Sequence, residues 1–246
     1  MRPSRSFTAN TLLSALSDED FALLQPHFSR APLDRELVLV TANKPTEHVY
    51  FPESGVGSIV SNIASSARTE VGIFGREGVS ATFLLLGTDR SPHQTFMQVA
   101  GPAGLRIDTG SYLDAVGRSE TLRTTLLRYV QTCFVQSAQS TATNAHKRIE
   151  ARLARWLLMA HDRVDEDEIA LTHEFMGLMI GAERSGVTVT LHVLEGAGMI
   201  RSKRGRVIIL DRDKLQELAG DAYGVPEAEY RRLIGPLGRD LPVAAE

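Results

Sequence analysis

The chain has a single cysteine, Cys133, in 246 residues. A lone thiol excludes an internal disulfide and leaves too few ligands for a cysteine-built metal or iron–sulfur cluster. Long apolar runs are lacking too. Residues 83–86 (FLLL) are typical of the longest, whereas a bilayer span takes about 20 apolar residues. MRPSRSF at the start leads into mixed polar sequence without the apolar core of a secretion signal, so a cytoplasmic protein with no membrane partner is expected. Neither sign of charge dominates: 27 Lys and Arg against 30 Asp and Glu leave a net charge of −3. That excludes a protein basic throughout, but a local basic face has to be read segment by segment. Enzyme signatures are missing as well. There is no phosphate-cradling glycine loop, no HExxH pair and no nucleophile in a motif context, and GREG at 75–78 is too short to be more than a turn. No catalytic residue, cofactor or metal site is therefore expected.

What is present is a globular composition, 43% apolar and 23% charged, without repeats or low-complexity tracts. Residues 11–28 read as helical, with Leu12, Leu13, Leu16, Phe21, Leu23 and Leu24 on an apolar face and Ser17 starting a second helix. From Leu33 the texture changes. LVLV, HVYF, GSIVSNI, EVGIF, TFMQVA and GLRI recur at intervals of about ten residues between glycines, prolines and asparagines, which predicts an antiparallel roll, barrel or sandwich. Around Ser111 the pattern returns to helix, and no proline interrupts it between Pro102 and Pro226. Leu122, Leu126, Tyr129, Val130, Cys133 and Phe134 keep helical spacing in a helix of about thirty residues, long enough to need a second surface to cover. That surface is the chain's own core or a second copy of the helix. The acidic run at 162–168 reads as a solvated loop.

The densest cationic stretch follows two short amphipathic helices. Thr172 is a good N-cap and Glu174 puts negative charge in the first turn; Phe175, Met176, Met179 and Ile180 form one face, and Gly181 sits where a helix end needs a left-handed residue. A second helix follows after a short turn, the signature of a helix-turn-helix. At 100° per residue Val187, Thr190, Leu191 and Leu194 fall on its inner side. Arg184, Ser185, Thr188, Val189 and His192 fall outside and offer groups that can meet base edges, phosphates or a thymine methyl. MIRSKRGRVIILD then reads as two strands around a turn at 203–205, crowding Arg201, Lys203, Arg204 and Arg206 onto a hairpin suited to neutralising phosphates.

In layout, nearly the whole chain resembles the family of the cyclic-AMP receptor protein and FNR, the CRP/FNR bacterial transcription regulators. The likeness is most specific over residues 171–200, where Gly181, Arg184 and Val187 match the glycine before the turn, the arginine opening the recognition helix and the valine beyond it. The resemblance implies an α+β fold: an N-terminal antiparallel β-roll of the cyclic-nucleotide-binding kind, a long dimerisation helix and a C-terminal winged helix-turn-helix. The corresponding domains are 1–115, 116–146 and 147–222, with 223–246 as a C-terminal tail whose last residues, PVAAE, are frayed. It further implies a homodimeric, sequence-specific DNA-binding regulator on a near-palindromic operator, with a small-molecule effector and RNA polymerase as further partners. The alternative is a ligand-binding or protein-interaction module of the same fold with a vestigial DNA site.

Two departures qualify the likeness. The family's recognition helix typically runs serine cap, arginine, glutamate, then a second arginine four positions on; here those places hold Glu183, Arg184, Ser185 and Val189. Only the first base-reading arginine carries over, and Ser185 becomes a candidate cap for a shifted first turn. In the sensor, the family's ribose-binding glutamate falls on Phe83 and its phosphate-binding arginine on residues 93–95, including Thr95, while a looser alignment uses Glu77 with Arg90 and Ser91. A buried phosphate needs a cationic partner, so an effector other than cyclic AMP is expected.

Overall fold

The computed structural model describes residues 8–64 and 67–240; the expected frayed end at 242–246 lies outside them. Two short helices open the fold, α1 (Thr11–Ser14) and α2 (Asp18–Leu24). Their N-caps, Asn10 and Ser17, accept from the backbone N–H groups of Leu13 and Asp20, satisfying donors that a helix start leaves orphaned. Leu12, Leu13, Leu16, Phe21 and Leu24 are buried beneath them.

Among the described residues, seven strands then form two antiparallel sheets. In chain order they are β1 (Ser29–Leu33), β2 (Val38–Val40), β3 (His48–Pro52), β4 (Val56–Ala64), β5 (Ala67–Phe74), β6 (Gln94–Val99) and β7 (Gly101–Asp108). One sheet has the order β1-β7-β3 and the other β2-β6-β4-β5. The period-two pattern buries Val49 and Phe51 of β3 and Leu105 and Ile107 of β7 in one apolar cluster with the N-terminal helices. Of the roll, barrel or sandwich that the strand spacing permits, the chain forms a two-sheet roll.

Helices α3 (Thr109–Arg118) and α4 (Glu120–His146) follow, capped by Asp108 and Ser119. Helix α4 runs 27 residues. The six positions that keep helical spacing divide between two environments. Leu122, Leu126 and Tyr129 are buried in the roll's own core, and Cys133 packs half-buried against it. Val130 is half-buried, whereas Phe134 is 71% exposed. Leu127, absent from the sequence reading, is exposed seven residues before Phe134 and so shares its side of the helix.

At Lys147 and Arg148 the backbone is extended, and α5 (Ile149–His161) begins a second unit. Two readings of the sequence are corrected here. The acidic run is no plain solvated loop: Asp162 is buried against Arg212 and Tyr223, while Asp165 and Asp167 hold Arg76 and Arg239. Residues after 222 do not form a simple tail either. Beyond α8 (Arg212–Ala219), helix α9 (Val225–Leu233) packs on α4, with Tyr230 buried and its hydroxyl donating to the Glu77 carbonyl at 2.9 Å. An apolar Tyr and a Pro at the helix start carried that signal, but at this length propensity alone is weak. Among the described residues no helix is long and apolar enough to cross a membrane.

Candidate nucleic-acid interface

Helix α6 (His173–Ile180) begins where Thr172 accepts from the Phe175 N–H, and ends at Gly181, whose φ of 59° is left-handed. That conformation costs glycine little and a side-chain-bearing residue more. Gly177 matters in another way: a Cβ there would meet the Ala182 carbonyl oxygen at 2.6 Å, so the turn can close onto the helix only because position 177 is bare. Arg152 of α5 holds the end of α6, donating to the carbonyl oxygens of Ile180 and Gly181. Neither Gly177 nor Arg152 was singled out by pattern, since their partners lie in a turn or on a separate helix.

Helix α7 (Arg184–Gly196) starts at Arg184, with Glu183 extended at the N-cap and making no side-chain cap bond. The shifted start at Ser185 does not occur. Val187, Thr190, Leu191 and Leu194 are buried against α5 and α6, as the 100° projection predicts. Arg184, Ser185, Val189 and His192 are exposed and Thr188 is half-buried.

Thr188 is held on two sides. Its hydroxyl donates to the Arg184 carbonyl at 3.0 Å and lies 3.0 Å from Nδ1 of His173. With the hydroxyl proton on the Arg184 carbonyl, the His173 ring donates from Nδ1; with it on Nδ1, the ring accepts. Burial holds the His173 pKa below its usual value, with Arg184 and His192 adding repulsion. His173 is a residue of this face that sequence reading missed, because it sits on the other helix.

Strands β9 (Ile200–Lys203) and β10 (Arg206–Ile209) form the hairpin, and β8 (Glu168–Ile169) pairs with β10 to make a three-stranded wing. Arg201, Lys203, Arg204 and Arg206 are all exposed, but Arg206 is engaged by Glu168 at 2.9 Å. The wing's unspent charge therefore concentrates at Arg201, Lys203 and Arg204. Arg184, Lys203 and Arg204 also line one cleft of about 1340 Å³, whose opposite wall is Arg35, Glu36, Arg68 and Thr69 of the roll.

The winged unit explains its own sequence match. Residues 151–218 match the family model described as the Crp-like helix-turn-helix domain. The chain has a CRP/FNR-type fold. Solved structures with similar folds include FixK2 from Bradyrhizobium japonicum, with a TM-score of 0.66 at 16% identity over 78% of this chain and 98% of that one. A CRP-family transcriptional regulator from Thermus thermophilus gives 0.63 at 17% identity over 78% and 96%. The c-di-GMP responsive global regulator CLP of Xanthomonas campestris gives 0.61 at 13% identity over 78% and 99%. No curated protein matches the chain.

In this CRP/FNR-type fold the residues named for a sensor pocket do not assemble. Glu77 is buried and its carboxylate meets Arg163, with Nη2 at 2.8 Å and Nε at 2.9 Å. Arg90 is exposed and paired with its neighbour Asp89. The acceptor and cation that the looser alignment joins are thus spent on different partners. Phe83 packs half-buried on the roll's core within a short 3₁₀ turn, Ser91 accepts from the His93 N–H, and Thr95 is buried on β6.

Proposed function

We propose that the protein is a homodimeric, sequence-specific DNA-binding transcription regulator. The observation that carries this reading is that Arg184, which opens the exposed α7 face, lines one cleft with Lys203 and Arg204 of the wing tip of the Crp-like helix-turn-helix domain. A helix of this size enters the major groove, where Arg184 can bond guanine bidentately and Val189 can touch a thymine methyl. Lys203 and Arg204 neutralise flanking phosphates and set register rather than sequence. Dimerisation uses the side of α4 that carries Leu127 and Phe134, which the chain's own core leaves uncovered. Two-fold symmetry then requires a near-palindromic operator with half-site centres about 34 Å apart.

The effector is a signal other than cyclic AMP or cyclic GMP, because no acceptor–cation pair is available at the family position. RNA polymerase is the further partner of a regulator of this type. Selection of bound fragments from sheared genomic DNA tests the function: it should enrich one near-palindromic motif, and recovery of unrelated fragments would refute sequence-specific binding.

A further inference from the structure

The outer face of the β2-β6-β4-β5 sheet packs on the winged unit, and the seam between them is partly polar. Val56, Ile73 and Val99 of the roll share an apolar cluster with Trp156 of α5 and Met179 of α6. Inside this seam lies Glu70 of β5, buried, with its Oε1 accepting from the Trp156 indole N–H at 2.8 Å. Its Oε2 is 2.7 Å from the Ser58 hydroxyl of β4.

The hydrogens at Ser58 can be counted. Its one hydroxyl proton faces three acceptors: Glu70 Oε2 at 2.7 Å, Gln98 Oε1 of β6 at 3.3 Å and the Met179 sulfur at 3.9 Å. If Glu70 carries a proton, it donates to Ser58 and Ser58 donates to Gln98, so both strong acceptors are satisfied. If Glu70 is ionised, it takes the Ser58 proton; Gln98 then either loses the donor to Oε1 or turns its amide so that Nε2, otherwise buried without a partner, donates to Ser58 and Oε1 is left unpaired. A buried acceptor without a partner is costly. The void beside Glu70 is about 10 Å³, at the lower limit for one water molecule, so a carboxylate there has little room to be solvated in place.

The charged groups around Glu70 are Arg155 of α5, whose Nη2 is buried without a partner, Arg152 of α5, which lines the same void and donates to backbone carbonyls, and Arg163. Glu227 of α9 acts on Arg155. Gln136 of α4 lines the same void and is neutral. Burial outweighs the hydrogen bonds from Ser58 and Trp156 and the charges of Arg155 and Arg163, and pushes the Glu70 carboxyl up to about 8.

We propose that Glu70 is a proton-binding latch between the roll and the winged unit: the neutral carboxyl holds the two together, and its ionisation releases the winged unit. The effector that this seam takes is the hydrogen ion. The sign follows from linkage. Once the seam opens, Glu70 meets water and titrates near its ordinary 4.5, so the closed state holds a proton that the open state has lost. Closure is fully favoured below 4.5, weakens by up to about tenfold per pH unit as pH rises towards 8, and levels off above it.

Trp156 is the chain's one tryptophan, so its emission reads the seam directly. The full-length protein should show a reversible fluorescence transition with its midpoint between 4.5 and about 8. Over the same range trypsin should cut faster at Lys147 and Arg148. Glu70→Gln keeps the shape and the donor of the neutral acid, so it should abolish both changes. Its urea midpoint should nearly match the wild type at pH 5 and exceed it at pH 9. A transition that survives in Glu70→Gln overturns the latch, as does a wild type whose Trp156 emission and trypsin sensitivity are flat from pH 5 to 9. These readouts need no DNA, so they stand or fall apart from operator binding.

Discussion

Arg163 lies 2.8 Å from Glu77, and both side chains are sealed from solvent. The pair ties the C-terminal end of the α5 region to the turn after β5, and it settles what Glu77 does: it compensates a buried cation. Removing one member leaves a lone charge in the core, which costs about 3–5 kcal/mol, whereas replacing both with apolar residues is often near neutral. Glu77→Ala should therefore lower the unfolding free energy in urea by about that amount. Glu77→Leu combined with Arg163→Met should recover most of it. A single variant as stable as the wild type would show that the pair contributes nothing.

Cyclic nucleotides should not bind. Calorimetry with cyclic AMP and cyclic GMP is expected to give no heat of binding at micromolar protein, since Glu77 is held by Arg163 and Arg90 by Asp89. Micromolar affinity that disappears in Arg90→Ala would mean that the loop after Gly87 folds back to form a pocket.

Helix α4 separates two kinds of apolar position, and substitution should separate them too. Phe134→Asp places a charge on an exposed side chain, so it should yield folded monomers in sedimentation velocity and weaken operator binding. Leu126→Asp places a charge at a position with no exposure, so it should unfold the roll instead. Folded dimers in Phe134→Asp would move the dimer interface elsewhere.

His161 should make the fold acid-sensitive. Its Nδ1 lies 3.1 Å from Arg212 Nη1, which can only donate, so Nδ1 accepts and Nε2–H donates to Asp167 at 2.9 Å. Burial chiefly holds the imidazole pKa below 6.5, against the opposing Asp167 bond. The unfolded chain therefore binds the proton first. The contribution is complete above pH 6.5 and is lost as pH falls below it, with a slope of at most one proton. His161→Gln keeps an acceptor and a donor but does not titrate, so its urea stability should fall less between pH 6.5 and 5. Equal slopes would remove His161 from the acid response.

Local pattern carried much of this fold. Alternation exposed the strands, and the 100° projection of α7 sorted buried Val187, Thr190, Leu191 and Leu194 from exposed Ser185, Val189 and His192. Caps at Ser17 and Thr172 and the left-handed Gly181 were legible because each acts within a few residues. What pattern could not reach depends on distant partners. Glu70 and Trp156 are 86 positions apart, as are Glu77 and Arg163, and a lone acid in a strand or helix end gives no sign of its partner. Leu127 differs from Leu126 only in facing away from the roll, which periodicity cannot decide without knowing where the roll lies. The acidic run looked solvated because charge is normally exposed, and only the folded arrangement brings Arg212, Arg76 and Arg239 to it.

The most direct test of DNA recognition by α7 and the wing compares variants on the selected operator and on random duplex across a salt series. Arg184→Ala should weaken operator binding by about 1–3 kcal/mol while changing random-duplex affinity much less, as for a lost base contact. Lys203→Ala and Arg204→Ala should weaken both duplexes alike and each reduce the salt slope by about one. Equal losses for Arg184→Ala on operator and random DNA would contradict base reading by this helix.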